Sequence, residues 1–181
     1  MTAVEIIAQT FGIIAMAVGF ISFQQKERKK VIMFQVASTT LFATNFFLLG
    51  AIAGALLNMV AAIRAVVFLD KEKSKADHPA WMYAFFFVYI LSYVATFTVF
   101  GNEPTVKHLI FEFLPVIGMV FTTIGLRCND AKGIRKYALL NSPFWLTYDI
   151  YCMSIGAIIG ESLNILSIVI GMLRHDIRRK N

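Results

Sequence analysis

Asn58, Asn164 and Asp149 are the side chains with the most chemistry to explain, because each falls within an apolar stretch of the sequence. A polar group in hydrocarbon must find a partner or water. Asn58 and Asn164 each lie on a stripe of small residues: Gly54, Asn58, Ala61, Ala62 and Ala65 in one case, Gly160, Asn164, Ser167 and Gly171 in the other. Two readings are open for them, an interhelical clasp or a pair of carboxamides facing a small solute. Asp149 is flanked by Tyr148 and Tyr151. A carboxylate at that depth costs roughly 2.5–3.5 kcal/mol, so it should line an interior pathway, relay a proton or sit in a structural pair, unless the helix is shallower and it lies at the interface. Catalysis has little else to draw on. His78, His108 and His175 fall in connections or the tail, Cys128 and Cys152 fall at different depths, and no nucleophile triad, phosphate loop or metal-ligand spacing is present. An intramembrane enzyme built on Asp149 would lack a second catalytic group at matched depth, so no enzyme activity, cofactor or metal is expected.

The elements that must position these residues follow from composition. The 181 residues are 58% hydrophobic, with a mean hydropathy of +0.69, above the roughly 45–50% apolar share of soluble domains. Apolar runs at 4–23, 31–49, 52–69, 81–100, 109–126, 137–154 and 157–173 approach the roughly 20 residues a helix needs to cross a bilayer. The first lacks a basic region before it and carries Glu5, so it reads as a retained helix rather than a signal peptide. The chain is thus expected to be a single all-α membrane domain over 1–181 with seven transmembrane helices.

Net charge is +6, which in a soluble protein would suggest nucleic acid. Here the basic residues sort by connection instead. Lys26, Arg28, Lys29 and Lys30, then Lys71, Lys73 and Lys75, then Arg127, Lys132, Arg135 and Lys136, and finally Arg174, Arg178, Arg179 and Lys180 all fall on one side; Lys107 alone falls on the other. With the positive side cytoplasmic, the N-terminus lies outside and the C-terminus inside. No nucleic-acid partner is expected, and the solvent is the lipid bilayer. Arg64 is left within the third segment, where snorkelling to the cytoplasmic end is the leading reading.

The sequence also repeats itself. Residues 50–58 read GAIAGALLN and residues 156–164 read GAIIGESLN. At the same offset of 106, Gly12 falls on Gly118, Gly19 on Gly125, Lys26 on Lys132 and Lys30 on Lys136, while Asn45 becomes the counterpart of Tyr151. This predicts two parallel three-helix repeats, 4–69 and 109–173, joined by a linker helix at 81–100 that restores the orientation of the second triplet (3+1+3). Glu5, Glu112 and Glu161 read as solvated end residues. Gln35 and Asn141 occupy equivalent places near the cytoplasm, as a gate, as helix caps or as interhelical bonds. Pro115 and Pro143 remove backbone donors inside the fifth and sixth helices and are candidate hinges for alternating access.

A triplet, a linker helix and a second parallel triplet, with an asparagine on the third helix of each, resembles the SWEET and PQ-loop transporter fold, to which PnuC-type vitamin-precursor permeases are similar. The stretches FFLLGAIAGALLNMVAAIR and FEFLPVIG resemble the YgjV family of bacterial inner-membrane proteins. The resemblance implies that Asn58 and Asn164 face the substrate and that Phe42 and Tyr148, on the middle helices, stack against it. The proline pattern of the SWEET and PQ-loop fold is met only by Pro115 and Pro143, and its Pro-Gln dipeptide is replaced by Gln24-Gln25. The function this implies is a carrier for a small polar metabolite, of the sugar or vitamin-precursor class, in the bacterial inner membrane. Substrate contacts are expected from Asn58, Asn164, Tyr148, Asp149, Phe42 and Asn45, and homo-oligomerisation is left open. The alternative is a non-transporting receptor or scaffold of the same fold.

Overall fold

The computed structural model describes residues 3–48, 52–99, 103–151 and 155–177; the side chains at 46, 52–54, 56, 72, 74, 149, 155–157 and 177 lie outside the description. The chain is all-helical: α1 (Ala3–Phe23), α2 (Arg28–Leu48), α3 (Ile52–Leu69), a single turn α4 (Lys71–Ser74), α5 (Pro79–Thr98), α6 (Val106–Arg127), α7 (Ala131–Tyr151) and α8 (Ile155–Met172), which ends in a π-type turn, Leu173–Ile177. Local chemistry marks the starts. Pro79 opens α5 behind His78, whose Nδ1 accepts from the Ala80 N–H at 3.2 Å. The Thr105 hydroxyl accepts from the His108 N–H at 3.3 Å and caps α6.

Four helices, Ala3–Phe23, Pro79–Thr98, Val106–Arg127 and Ile158–Asp176, are long and apolar enough to cross a membrane. Seven such spans were expected from the sequence. The described part of α3, Leu57–Leu69, is apolar but shorter, and α2 and α7 begin in basic residues and carry hydroxyls and amides along their length. The hydroxyls are accommodated within the helix: Thr39, Thr40 and Thr44 donate to the carbonyls of Gln35, Val36 and Thr40 at 2.8–3.0 Å. The hydroxyl donors are thereby satisfied where no water is available.

α2 packs against both α1 and α3, and α7 against both α6 and α8. α5 lies on α6, and the two sets meet through α1 with α8, α3 with α6 and α2 with α7. The α1–α2 seam has a seven-residue rhythm. Ala8, Ala15 and Ser22 are fully buried on α1, and across from them Asn45 Nδ2 donates to Ala8 O at 2.7 Å, Ser38 Oγ to Ala15 O at 2.8 Å, and Ser22 Oγ to Val31 O at 2.8 Å. Gly12 and Gly19 supply the room, since a Cβ there would meet Asn45 Nδ2 at 3.1 Å and Ser38 Oγ at 3.0 Å. Two-helix contact through small residues and cross-helix hydrogen bonds is how helices associate in lipid, at about 0.6 kcal/mol per bond.

The buried core is concentrated where α1, α3 and α6 end and α2 and α7 begin, around Phe23, Val31, Phe68, Tyr89, Leu126 and Ile134. By contrast, every residue from Ala3 to Thr10 except Ala8 is exposed. Exposed Ile6, Ile13, Ile63, Phe87 and Ile110 provide the apolar surface that lipid tails require.

Candidate functional site

The basic residues that alternate by connection were expected in loops, but Arg28, Lys29, Lys30, Lys132, Arg135 and Lys136 lie inside the first two turns of α2 and α7. A helix can continue beyond the hydrocarbon, so the end of an apolar run does not mark the end of a helix. Both arginines among them are structural. Arg28 Nε donates to Cys128 O at 2.6 Å, Nη2 to Phe68 O at 2.5 Å and Leu126 O at 2.7 Å, and Nη1 to Leu69 O at 3.3 Å. It therefore caps the ends of α3 and α6 together, at the negative poles of both helices. Arg135, 1% exposed, forms a buried ion pair with Asp176 and donates to Gln25 O at 2.8 Å. Lys71 donates to Asp77 and Asn129 at 3.1 and 2.6 Å and to Arg127 O.

Further bonds join the same end. Ser167 Oγ donates to Phe20 O at 2.6 Å, Gln24 Nε2 to Ser167 O at 2.8 Å, and a His175 ring nitrogen lies 2.8 Å from Gln24 O. These hydrogen bonds join α1–α3 to α6–α8 at the basic end. Cys128, in the α6–α7 connection there, has its thiol pushed up from the ordinary range, first by burial and then by Asp130, against the pull of Lys71, Arg28 and Lys136. Such a thiol is a poor nucleophile.

The residues singled out in the sequence are distributed over the other half. Asn58 and Phe42 are half-buried on α3 and α2. Asn164, half-buried on α8, has its Nδ2 3.5 Å from Glu161 Oε2. Tyr148 donates to Glu112 Oε2 at 3.1 Å, joining α7 to α6, and packs edge-on to Trp145. Glu112 had read as a solvated end residue; its pairing with Tyr148, 36 positions away, leaves no local signal in the sequence. The Asn45 amide is 6% exposed and donates into the α1–α2 seam. The Asp149 side chain lies outside the described residues, as do Gly50, Ala51 and Cys152. Pro115 and Pro143 sit inside α6 and α7, which continue through them. Among the described residues, no group of three or more His, Cys, Asp or Glu side chains could hold a metal.

Arg64 does not snorkel. It is 6% exposed, its Nη1 donates to the Tyr89 hydroxyl at 2.7 Å, and its guanidinium carbon lies 5.9 Å from the Tyr89 ring centre. Tyr89 OH and Thr123 Oγ1 are 2.7 Å apart, and Thr123 donates to Met119 O at 2.8 Å. Since Thr123 gives its proton to Met119, the chain of donors runs Arg64, Tyr89, Thr123, Met119. Burial beside α5 and α6 holds the side chain where the composition of α3 alone would let it extend toward water.

Several described contacts correspond at a spacing of 103 residues, three fewer than the offset at which the sequence matches itself. α2 and α7 begin at 28 and 131, and α3 and α8 end at 69 and 172. Ser38 meets Ala15 as Asn141 meets Gly118, and Arg64 meets Thr123 as Ser167 meets Phe20. In this frame Asn45 corresponds to Tyr148, each holding its middle helix to the first helix of its set, and Asn58 corresponds to Glu161.

Seven long helices with an apolar exterior define a polytopic helical membrane protein. Residues 6–179 match the family of bacterial inner membrane proteins of the YgjV type, and the chain belongs to that family. It is 24% identical over 169 residues to the inner membrane protein YgjV of Escherichia coli (strain K12), an alignment covering 93% of this chain and 84% of that one. No solved structure matches the chain.

Proposed function

We propose that α1–α3 and α6–α8 are two parallel three-helix repeats joined by α5, and that the protein carries a small polar metabolite between them by alternating access. The observation that carries this reading is the asymmetry of the bundle. Arg28, Arg135 and Ser167 bond the two sets together at the basic end, while at the other end Ala3–Thr10 is exposed but for Ala8 and a Cβ on Gly160 would meet nothing within 4 Å. That is the form expected of a carrier closed on one side and open on the other. The solute would enter from the open side and contact the half-buried polar layer of Asn58, Asn164 with Glu161, and Tyr148 with Glu112. Asp149, on α7 next to Tyr148, is the candidate proton relay. Pro115 and Pro143 are candidate hinges for the reverse movement, and no chemical reaction on the solute is part of this proposal.

Thermal unfolding of the purified protein against sugars, nucleosides, vitamin precursors and amino acids tests the site. A compound that raises the melting temperature of the wild type with concentration, but not that of well-folded Asn58→Leu and Asn164→Leu, is the expected result and names the cargo for liposome uptake. If nothing shifts the wild type while both variants melt far lower, the asparagines are clasps and the receptor or scaffold alternative takes over.

The basic end is proposed to face the cytoplasm, from the distribution of Lys and Arg. A fluorescent protein fused to the C-terminus is then expected to mature and fluoresce in bacteria, and alkaline phosphatase fused at the same place to stay inactive. The opposite pair of results would reverse the orientation.

A further inference from the structure

Three cationic side chains at the basic end have their charge answered: Arg135 by Asp176, Lys71 by Asp77, and Arg28 by four carbonyl oxygens. Arg64 lies deeper and is different. Its partners, the Tyr89 and Thr123 hydroxyls and Met119 O, are all neutral, and among the described residues no carboxylate pairs with it. All of its described hydrogen bonds come from Nη1, and its Nε is buried without a partner. A buried charge without a counter-ion is strongly disfavoured in a protein interior, and more so within a bilayer.

We propose that Arg64, with Tyr89 and Thr123, binds the oxyanion of an acidic solute, a carboxylate or a phosphoryl group; this rests on the carrier reading and narrows its substrate class. The guanidinium edge formed by Nε and Nη2 is the edge that can hold such a group through two parallel bonds. The Tyr89 bond fixes the opposite corner of the plane, so this edge is held in orientation before the ligand arrives. Arg64 also stands about 9 Å along α3 from Asn58 toward the basic end, in the seam where α3 of one set meets α6 of the other under α5. An oxyanion that draws the guanidinium away from Met119 and Thr123, which it holds at 3.4 and 3.5 Å, loosens that seam. Binding is thereby coupled to opening of the closed end.

The test is thermal unfolding of the full chain in neutral detergent, wild type beside Arg64→Gln, Arg64→Lys and Tyr89→Phe. The probes are inorganic phosphate, short dicarboxylates, phosphorylated sugars, and the matching neutral sugars and amides. Acidic solutes are expected to raise the wild-type melting temperature by roughly 5 °C or more at 100-fold excess over Kd, with neutral counterparts inactive. The shift should vanish in Arg64→Gln and weaken in Arg64→Lys and Tyr89→Phe. Without ligand, Arg64→Gln should melt at or above the wild type, because it removes an unanswered charge; a purely structural arginine would give the opposite. Retention of the shift in Arg64→Gln, or an equal shift by neutral counterparts, overturns the oxyanion site and leaves a carrier of neutral solutes. No shift by any acid, with Arg64→Gln melting far lower, also overturns it. An Arg64-dependent shift from a short-chain anionic phospholipid alone supports the site and assigns its oxyanion to a lipid headgroup. If a stabilising acid is not taken up by liposomes holding the protein, the site stands and the carrier reading fails.

Discussion

Replacing Arg135 by alanine is expected to cost about 3–5 kcal/mol of unfolding free energy, the usual penalty for orphaning one member of a buried ion pair. The reason lies in what remains. The Asp176 side chain is 5% exposed, so its carboxylate would be left in an apolar setting with its main partner gone, and the carbonyl of Gln25 would lose a donor at 2.8 Å. Arg135 also ties three pieces of chain at once: α7, the α1–α2 connection and the turn after α8. Asp176→Asn should cost less, because an amide oxygen can still accept from the guanidinium. The paired change Arg135→Met with Asp176→Leu should recover most of the loss, since replacing both charges by apolar groups of similar size is often neutral. Unfolding titrations of the two single variants and the pair form a double-mutant cycle that measures the coupling. A coupling below about 1 kcal/mol would mean that water reaches the pair and that the end is not sealed.

Arg135 also shows where reading from sequence stops. Its exposed neighbour Lys136 and the buried Arg135 look identical to a count of positive charge, and only the neighbours that fold over α7 separate a topology signal from a structural tie. The helices themselves were legible, because apolar runs of membrane-spanning length have few alternatives. The spans at 52–69 and 4–23 fall within a residue of α3 and α1. α2 begins three residues earlier than its apolar run, at Arg28, because helix hydrogen bonding continues where hydropathy has already fallen. The sequence matches itself at an offset of 106, whereas several described contacts correspond at 103. A shift of three residues along a helix returns to nearly the same face, so glycine-rich faces match at 106 although several contacts correspond at 103. At 106 Asn45 falls on Tyr151 and Asn58 on Asn164; at 103 they fall on Tyr148 and Glu161. Arg64 was misread for a related reason: snorkelling is judged from distance to the helix end, whereas the Tyr89 hydroxyl that holds it belongs to α5, 25 residues away.

Gly171→Ala is expected to destabilise the protein by about 1–3 kcal/mol, the range for overpacking a tight interface, whereas Gly160→Ala on the same helix should be neutral or stabilising by up to about 1 kcal/mol through helix propensity. The two glycines are 11 residues apart on α8, yet their surroundings are opposite. A Cβ at Gly171 would run into the backbone carbonyl oxygen of Phe23 on α1 and approach Arg135 Cδ at 3.1 Å, while a Cβ at Gly160 would meet nothing within 4 Å. Backbone cannot rotate out of the way as a long side chain can, so the methyl group at Gly171 must push α8 off α1. That movement stretches the bonds from Ser167 to Phe20 O and between His175 and Gln24 O, which help to close the basic end. If the protein alternates, Gly171→Ala shifts the population toward the state open at that end. A cysteine placed near Phe20 should then react faster with a thiol reagent applied from the basic side, and Gly160→Ala should leave that rate unchanged. Equal rates in wild type and Gly171→Ala, together with the expected loss of stability, would show the α1–α8 contact to be a fixed joint and would count against movement between the two helix sets.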